Sequence, residues 1–408
     1  MTDCGLMLDS PSQRPNVLLF SSLYPNAAMP NFGVFVENRL RHLLATGEVE
    51  ARVVAPVPWF PSRHPSFGTY ARWASVQPTE NRDGIEVRHP RYPLPPKLGM
   101  LPHPFLMAMG SLATMRRIRR SGFAFDLIDA HYFYPDGVAA LLLGAWFGRP
   151  VTITARGTDL NLYPQRFPLV RRMIAWAAGR AQASIAVSSA LAHTLLELGA
   201  PPDRVHILRN GVDLELFRPL DRTPLRRDLG LSGAVLASVG HLIERKGHHL
   251  VIEALAALTG CTLLVVGEGP ERSALQRQAE ELGVGGRVRF LGEVAHARLA
   301  EVYAAADLLV LASSREGWPN VVLEAMACGT PVIAAPVEGV PEMITEHAAG
   351  LILPTRTAAE IVTGVRTMLA NPPARDATRR HAEGFSWDAT TRGQLRVFRT
   401  AIRRQRGG

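Results

Sequence analysis

The sequence predicts an α/β protein built of two doubly wound parallel sheets, and three observations carry that prediction. Apolar strand-like runs alternate with amphipathic helix-like segments, in one series from Asn16 and in a second from Val235. At 408 residues the chain is too long for one ordinary domain and comfortable for two. Polar clusters recur just beyond the carboxyl ends of the apolar runs, where open parallel sheets meet their ligands.

Residues 1–14 read as a polar tail. Asn16 to Ser21 (NVLLFS) is the first buried strand, followed by the turn-rich SLYPNAAMPNFG and a helix from Gly33 to Thr46. The turn between first strand and first helix is a ligand position in such domains, which makes Gly33 a candidate for close backbone approach to a phosphate. An ordinary turn glycine is the competing reading. Arg52 to Pro56 is a second strand. From Val57 to Pro104 the pattern is irregular except at Ile85 to Arg88, and Trp59, Phe60, Phe67, Tyr70 and Trp73 crowd into it. Loops of that length are uncommon and usually functional. An apolar helix, Pro104 to Met115, then runs into Arg116, Arg117, Arg119 and Arg120.

Strand Phe125 to Ala130 delivers His131, Tyr132 and Asp136 at its carboxyl end, and strand Val151 to Thr154 delivers Arg156, Gly157 and Asp159. A histidine at a strand end is commonly structural, and an aspartate after glycine is commonly a turn residue. Two such clusters at the ends of successive strands point to a site. Two more helices and strands follow, and Phe217-Arg218-Pro219 begins a hinge.

The second series opens with VLASVG, which leads into the turn Gly240 to Gly247 (GHLIERKG). Cations are disfavoured at a helix start, so Arg245 and Lys246 need an anion there. A diphosphate fits, with arginine giving a planar fork and lysine a point charge. Lys97 and Lys246 are the two lysines in a chain that otherwise uses arginine. The next strand, TLLVVG, ends at Gly267 and Gly269. Further on, SSREGWPNVVLEAMACGTPVIAAP (Ser313 to Pro336) reads as loop, helix and strand, after the strand DLLVLA. Pro319 suits a first turn, and Gly329 suits a left-handed stop.

Glu316 lies in this loop and Glu324 one turn into the helix. Each has an ordinary explanation, as a charge near a helix start or a solvated helix residue. Together they suit a ligand with many hydroxyls and a diphosphate: carboxylates accept from hydroxyls, and free N–H groups bind anionic oxygens. A strand near Gly350, a helix from Ala358 to Leu369, and a last helix after Phe385-Ser386-Trp387 complete the series.

The formal net charge of +9 admits nucleic acid, anionic lipid or phosphorylated ligands as partners. Zinc-finger spacing, a basic zipper and RNA-binding aromatic signatures are all missing, so no nucleic acid partner is expected. Cys4, Cys261 and Cys328 have neither metal-ligand nor disulfide-framework spacing, and no metal or other cofactor is expected. No apolar run is long enough to span a bilayer, and MTDCGLMLDS lacks the basic region of a secretory signal. The expected location is cytoplasmic. A peripheral place on an anionic inner membrane face is a second expectation, from the aromatic segment, the apolar stretch Leu98 to Met115 and the arginines after it.

The run E-G-W-P-N-x-x-L-E-A-x-A-x-G-x-P-V, from Glu316 to Val332, resembles the E-x7-E signature of family 4 glycosyltransferases, retaining enzymes of the GT-B fold. The resemblance extends from about Asn16 to Arg403. It implies two Rossmann-like domains facing across a cleft: residues 15–218 on the acceptor side, 219–385 binding a nucleotide-diphosphate sugar, and 386–408 as a helix crossing back. By this resemblance Arg245 and Lys246 hold the donor diphosphate, Glu324 binds the ribose hydroxyls and Glu316 the donor-sugar hydroxyls. His131 lies near the transferred sugar; with Glu316, Arg245 and Lys246 it makes up the implied catalytic set. Gly33, Gly240, Gly267, Gly269, Gly317, Trp318, Pro319 and Asn320 join the donor side, and Arg156, Asp159, Trp59 and Phe60 the acceptor side. Family members usually carry a glycine pair where this chain has Asn31-Phe32-Gly33.

The implied reaction moves a sugar to an acceptor hydroxyl with anomeric retention and no metal. SLYPN, YPDG and ARGTDLNLYP are similar to bacterial surface-polysaccharide enzymes, including teichuronic-acid-type glycosyltransferases, which implies a saccharide or lipid-linked saccharide acceptor. Three rivals stand beside this reading: a nucleotide-sugar 2-epimerase of the same fold, a non-catalytic nucleotide-sugar-binding partner, and, on charge alone, a nucleic-acid binder.

Overall fold

The computed structural model describes residues 14–94 and 100–407. Most of the expected N-terminal tail with Cys4, and Lys97 with the start of the Leu98–Met115 stretch, lie outside the described residues. The first domain runs β1 (Asn16–Phe20), α1 (Val34–Ala45), β2 (Glu50–Val54), β3 (Val57–Trp59), α2 (Thr69–Ser75), β4 (Thr79–Arg82), β5 (Ile85–Arg88), β6 (Arg91–Pro93) and α3 (His103–Arg120). It continues with β7 (Leu127–His131), α4 (Val138–Phe147), β8 (Val151–Ala155), the short α5 (Thr158–Asn161) and α6 (Tyr163–Arg166), α7 (Pro168–Arg180), β9 (Ala183–Ala186), α8 (Ser189–Glu197) and β10 (Val205–Ile207). Its eight-stranded sheet has the order β10-β9-β8-β7-β1-β2-β5-β4, parallel except where β4 turns back on β5. Every residue of β7 and β8 is buried, as the central strands of a sheet covered on both faces must be.

The second domain runs α9 (Thr223–Asp228), β11 (Ala234–Val239), α10 (His248–Leu255), β12 (Cys261–Val266), α11 (Arg272–Glu281), β13 (Val288–Gly292), α12 (Leu299–Ala305) and β14 (Leu308–Leu311). It closes with α13 (Asn320–Ala327), β15 (Val332–Ala334), β16 (Gly350–Ile352), α14 (Ala358–Ala370) and α15 (Arg375–Glu383). Six parallel strands lie in the order β13-β12-β11-β14-β15-β16. The last helix, α16 (Trp387–Arg406), returns to the first domain and packs Leu395, Phe398, Ala401 and Ile402 against Val36, Leu40 and Leu43 of α1. Burying each of those large side chains contributes about 1.5–3 kcal/mol, which fixes the crossing.

Strand order reverses between β1 and β7 in the first sheet, and between β11 and β14 in the second. Ligands bind at such reversals, outside the carboxyl ends of the strands. The loop after β1 carries Ser22 and β7 ends at His131; the loops after β11 and β14 carry Gly240 to Lys246 and Ser313 to Glu316.

One reading needs correction. Within the stretch from Val57 to Pro104, residues 57–94 are not irregular: they fold as β3, a 3-10 turn (Pro65–Phe67), α2 and β4 to β6, with β3 and β6 forming a separate parallel pair. Its pieces are three to seven residues long, too short for periodicity to register between prolines. Phe60, Phe67, Tyr70 and Trp73 pack on one another with ring centroids 5.1–5.2 Å apart. The arginines after Met115 also continue α3 and end at the amino edge of the sheet, where β7 begins. Trp59, the last residue of β3, and Phe60 lie beyond β2 at the opposite, carboxyl edge.

Candidate active site

Glu316 is buried, 9% exposed, in the loop after β14. Lys246 Nζ donates to its Oε1 at 2.6 Å and Ser313 Oγ donates to the same oxygen at 2.7 Å. Arg245 Nη1 lies 3.7 Å from Oε2 and donates to the Arg315 carbonyl at 2.7 Å. Burial alone would raise the Glu316 carboxyl; Lys246 and Arg245 outweigh it and hold the group below its usual range. The two cations sit in a 3-10 turn (Glu244–Lys246), and α10 starts only at His248. The anion paired with Lys246 is Glu316 itself.

Gly247, at φ +73°, makes the arrangement possible: a Cβ there would stand 2.0 Å from the Ala312 carbonyl oxygen, so only glycine lets the turn lie against the end of β14. Gly240, Gly267 and Gly269 interlock the turns after β11 and β12 in the same way, Gly267 against Gly240 and Gly269 against Leu242.

Pro319 occupies the N-cap of α13, and the helix opens at Asn320 with the unpaired N–H groups of any helix start. One turn on, Glu324 is not a solvated helix residue. It is buried, accepts from Tyr303 Oη at 2.9 Å, and has His296 Nε2 at 3.1 Å from its other oxygen. Burial opposes the charged form of His296, yet its bond to the Glu324 carboxylate leaves it above its usual value. Trp318 donates its indole N–H to the Asn210 carbonyl at 3.0 Å, which ties this loop to the linker between the domains.

On the facing domain His131 ends β7, fully buried. Its Nε2 lies 3.2 Å from Asp129 Oδ2, and Arg156 Nη2 contacts its Nδ1. Burial, then Arg156, push the imidazole down to about 4 against the pull of Asp129. Arg156 Nη1 donates to Asn210 Oδ1 at 2.9 Å, and the Asn210 amide donates to Asn320 Oδ1 at 3.2 Å. Asp159 accepts the backbone N–H groups of Phe133, Arg156 and Gly157 at 2.8–3.1 Å, so it organises the turn that presents Arg156. Burial raises its carboxyl even so.

The domains meet backbone to backbone at two glycines. A Cβ on Gly157 would be 2.9 Å from Gly317 Cα, and one on Gly317 would be 2.2 Å from the Arg156 carbonyl oxygen. Around this contact Asn161 donates to Glu338 (3.2 Å), Ser189 N–H to Glu342 (2.7 Å) and Asn31 to Glu293 (2.6 Å). Glu338 also accepts the Glu316 N–H at 2.7 Å.

The structure thus gathers Glu316, Lys246, Arg245, Gly240, Gly317, Trp318, Pro319 and Asn320 on one wall, with Arg156 and His131 opposite. Gly33, at φ +77°, is required by its own loop, since a Cβ there would meet the Leu23 carbonyl at 2.5 Å. Trp59, 57% exposed, and Phe60, within the aromatic cluster, stand on the outer rim. Sequence reading missed Arg39, Asp129, Asn210, His296, Tyr303, Glu338, Glu342 and Gln394. Asp129 left a signal, as a charge inside the apolar run FDLIDA; the others look like ordinary turn or surface residues until the domains are brought together.

Residues 33–216 match the family model described as Glycosyltransferase Family 4, and residues 221–385 the model described as Glycosyl transferases group 1. A D-inositol 3-phosphate glycosyltransferase of Mycobacterium tuberculosis is 38% identical over 230 residues, covering 52% of this chain and 48% of the relative. The chain spans about half the length of the curated relatives it matches. Among solved structures, sucrose-phosphate synthase from Thermosynechococcus elongatus superposes with a TM-score of 0.77 at 21% identity, covering 95% of this chain and 98% of the other. HepE from Anabaena, in complex with UDP and glucose, superposes with a TM-score of 0.72 at 22% identity over 94% and 99% of the two chains.

Proposed function

The chain belongs to the family 4 glycosyltransferases of the GT-B fold, and from that premise we propose that it transfers a sugar from a nucleotide-diphosphate sugar to an acceptor hydroxyl with retention and without a metal. The observation that carries this reading is the pairing of the two sheet reversals. One wall presents two cations, a helix N-terminus and two buried carboxylates; the other presents His131 and Arg156, with Gly157 touching Gly317 between them.

In the proposed reaction the bond from the anomeric carbon to the diphosphate oxygen breaks and a bond to the acceptor oxygen forms on the same face. The acceptor proton passes to the departing diphosphate. Arg245, Lys246 and the α13 N-terminus stabilise the negative charge that develops there. When donor binds, Lys246 is the group that turns towards the diphosphate, and Glu316 is released to accept sugar hydroxyls. Glu324, oriented by Tyr303 and His296, takes the ribose hydroxyls, and Gly240, Gly267 and Gly269 let backbone border the nucleotide. No side chain is assigned as a covalent nucleophile.

The proposed acceptor is a lipid-linked saccharide of bacterial surface-polysaccharide assembly, entering past Arg156, Asp159 and the Trp59 rim. The first domain would bring it from an anionic membrane. Phe105 and Met109 are exposed on α3 one turn apart, with Leu101 exposed in the turn before it, and Arg116, Arg117 and Arg120 continue that face. No helix among the described residues is long and apolar enough to cross a membrane. Thermal-shift screening against nucleoside diphosphates and their sugars tests the donor reading, since a ligand of the folded state raises its apparent stability. One nucleotide family should raise the midpoint; no response to any would overturn the proposal.

A further inference from the structure

We propose that the C-terminal helix contributes a positioning residue to the active site: Gln394, acting through Asp129, keeps the His131 ring a hydrogen-bond acceptor towards the cleft. This rests on the reading of His131 as a residue beside the transferred sugar. Gln394 lies on α16, 265 positions from Asp129 and 2% exposed. Its Oε1 accepts from Arg39 Nε at 2.8 Å, and its Nε2 donates to Asp129 Oδ2 at 3.0 Å.

That orientation admits no reversal. Arg39 can only donate and the Asp129 carboxylate can only accept, so the amide must present its oxygen to one and its nitrogen to the other. The same logic then reaches the imidazole. Asp129 Oδ1 is taken by Thr152 Oγ1 at 2.8 Å, and Oδ2 faces both Gln394 and His131 Nε2. Because the carboxylate accepts only, Nε2 carries the proton, and the Nδ1 lone pair is left to accept from Arg156. The chain of bonds continues through Asn210 to Asn320 at the start of α13, so it joins the crossing helix to the donor wall.

A ring held this way can accept from a sugar hydroxyl once Arg156 turns aside, and it cannot hand a proton to the leaving group. That matches a transfer in which the acceptor proton goes to the diphosphate. The charged groups facing His131 are Asp129 on its own strand, Arg156 from the loop after β8 and Arg39 from α1, with Asp159 behind Arg156. From α16, Asp129 receives the neutral amide of Gln394. A core tie between α16 and the sheet would need any well-packed side chain; keeping the ring neutral needs an uncharged donor at this position.

Gln394→Glu tests this, as a nearly isosteric change that keeps the Arg39 contact and adds a negative charge beside Asp129. The added charge favours the imidazolium, so the rate should fall as pH falls. Relative to pH 8, kcat at pH 6 should drop about tenfold in the variant and stay level in the unmodified chain, while donor KM changes less than about twofold. A pH profile superimposable on the original overturns the inference. If Gln394→Glu does not fold, Thr152→Val removes the donor to the other Asp129 oxygen and should shift the profile the same way by less; no shift again overturns it. Ring 15N shifts give a readout independent of turnover. They should show Nε2–H in the unmodified chain down to pH 5 and a titrating ring in Gln394→Glu. An Nδ1–H or charged ring ends this inference with the functional reading intact. The stated tautomer without any sugar transfer supports the positioning role and ends the functional reading alone.

Discussion

Replacing Lys246 by alanine separates the two things that Lys246–Glu316 does. The pair is 2.6 Å long with both side chains largely buried, so its removal leaves a carboxylate in the interior without its main partner. Breaking a fully buried pair costs about 3–5 kcal/mol. Here Ser313 still donates at 2.7 Å and the Arg245 guanidinium remains 3.7 Å from the second oxygen, so about 2–3 kcal/mol is expected. For domains of this size that lowers the melting midpoint by about 5–10 °C.

The pH dependence has a definite sign. Glu316 is held below its ordinary value when folded, so its stabilisation is present above about pH 4.5 and is lost as pH falls through the folded value. In Lys246→Ala that support is gone, and the deficit should be largest near neutral pH and shrink below about pH 5 as Glu316 takes a proton. Thermal melts across pH, paired with donor kinetics, provide the assay. Loss of a cation at the departing diphosphate should cost on the order of 2–4 kcal/mol of transition-state stabilisation, roughly thirtyfold or more in kcat/KM. Arg298→Ala, which breaks an exposed pair with Glu301, should leave both readouts unchanged. Wild-type melts and kinetics in Lys246→Ala would refute the assignment.

Gly317→Ala should hold the domains apart, because the new methyl meets the Arg156 carbonyl at 2.2 Å; nucleotide binding should survive while turnover falls about a hundredfold, and scattering should show a larger radius of gyration. Unchanged turnover would count against the closed arrangement as the working one. Acid should destabilise the fold: burial pushes His103, His131 and His248 down to about 4, so the unfolded chain takes protons from about pH 6.5 that the folded chain refuses until about 4. Each costs on the order of 2 kcal/mol at pH 5, while Asp136, pushed up to about 7 by burial, has the opposite sign and offsets roughly one of them. Urea midpoints should therefore be lower at pH 5 than at pH 7.5, and an equal or higher midpoint would contradict this. Finally, a Phe105/Met109/Arg116/Arg117 quadruple alanine variant should lose salt-sensitive co-sedimentation with anionic vesicles; equal binding by both chains, or none by the unmodified one, would remove the membrane from the account.

Much of the fold was legible because buried parallel strands declare themselves as apolar runs: VLASV, TLLVV and LLVL read directly as β11, β12 and β14. The donor wall was legible because it is local, packed into a turn of eight residues and a loop-helix unit. What escaped was non-local. Asn210 looks like a turn asparagine, and Gln394 like one more polar position on an arginine-rich helix. Their meaning arises from partners more than a hundred positions away. The same holds for Glu338 and Glu342, which become interdomain acceptors only when the domains close. Gly317 was named from its motif, but the reason for glycine there, Gly157 and Arg156 of the facing domain, could not be read from either segment alone.

The measurement that tests the central claim most directly follows both products of one reaction: nucleoside diphosphate release and the configuration at the transferred anomeric carbon, by proton NMR, with donor alone and with donor plus saccharide acceptor. The account predicts diphosphate release in step with a new glycosidic bond of the donor's own configuration, undiminished by a chelator. Inverted product, or an epimerised nucleotide sugar formed without acceptor, would contradict it.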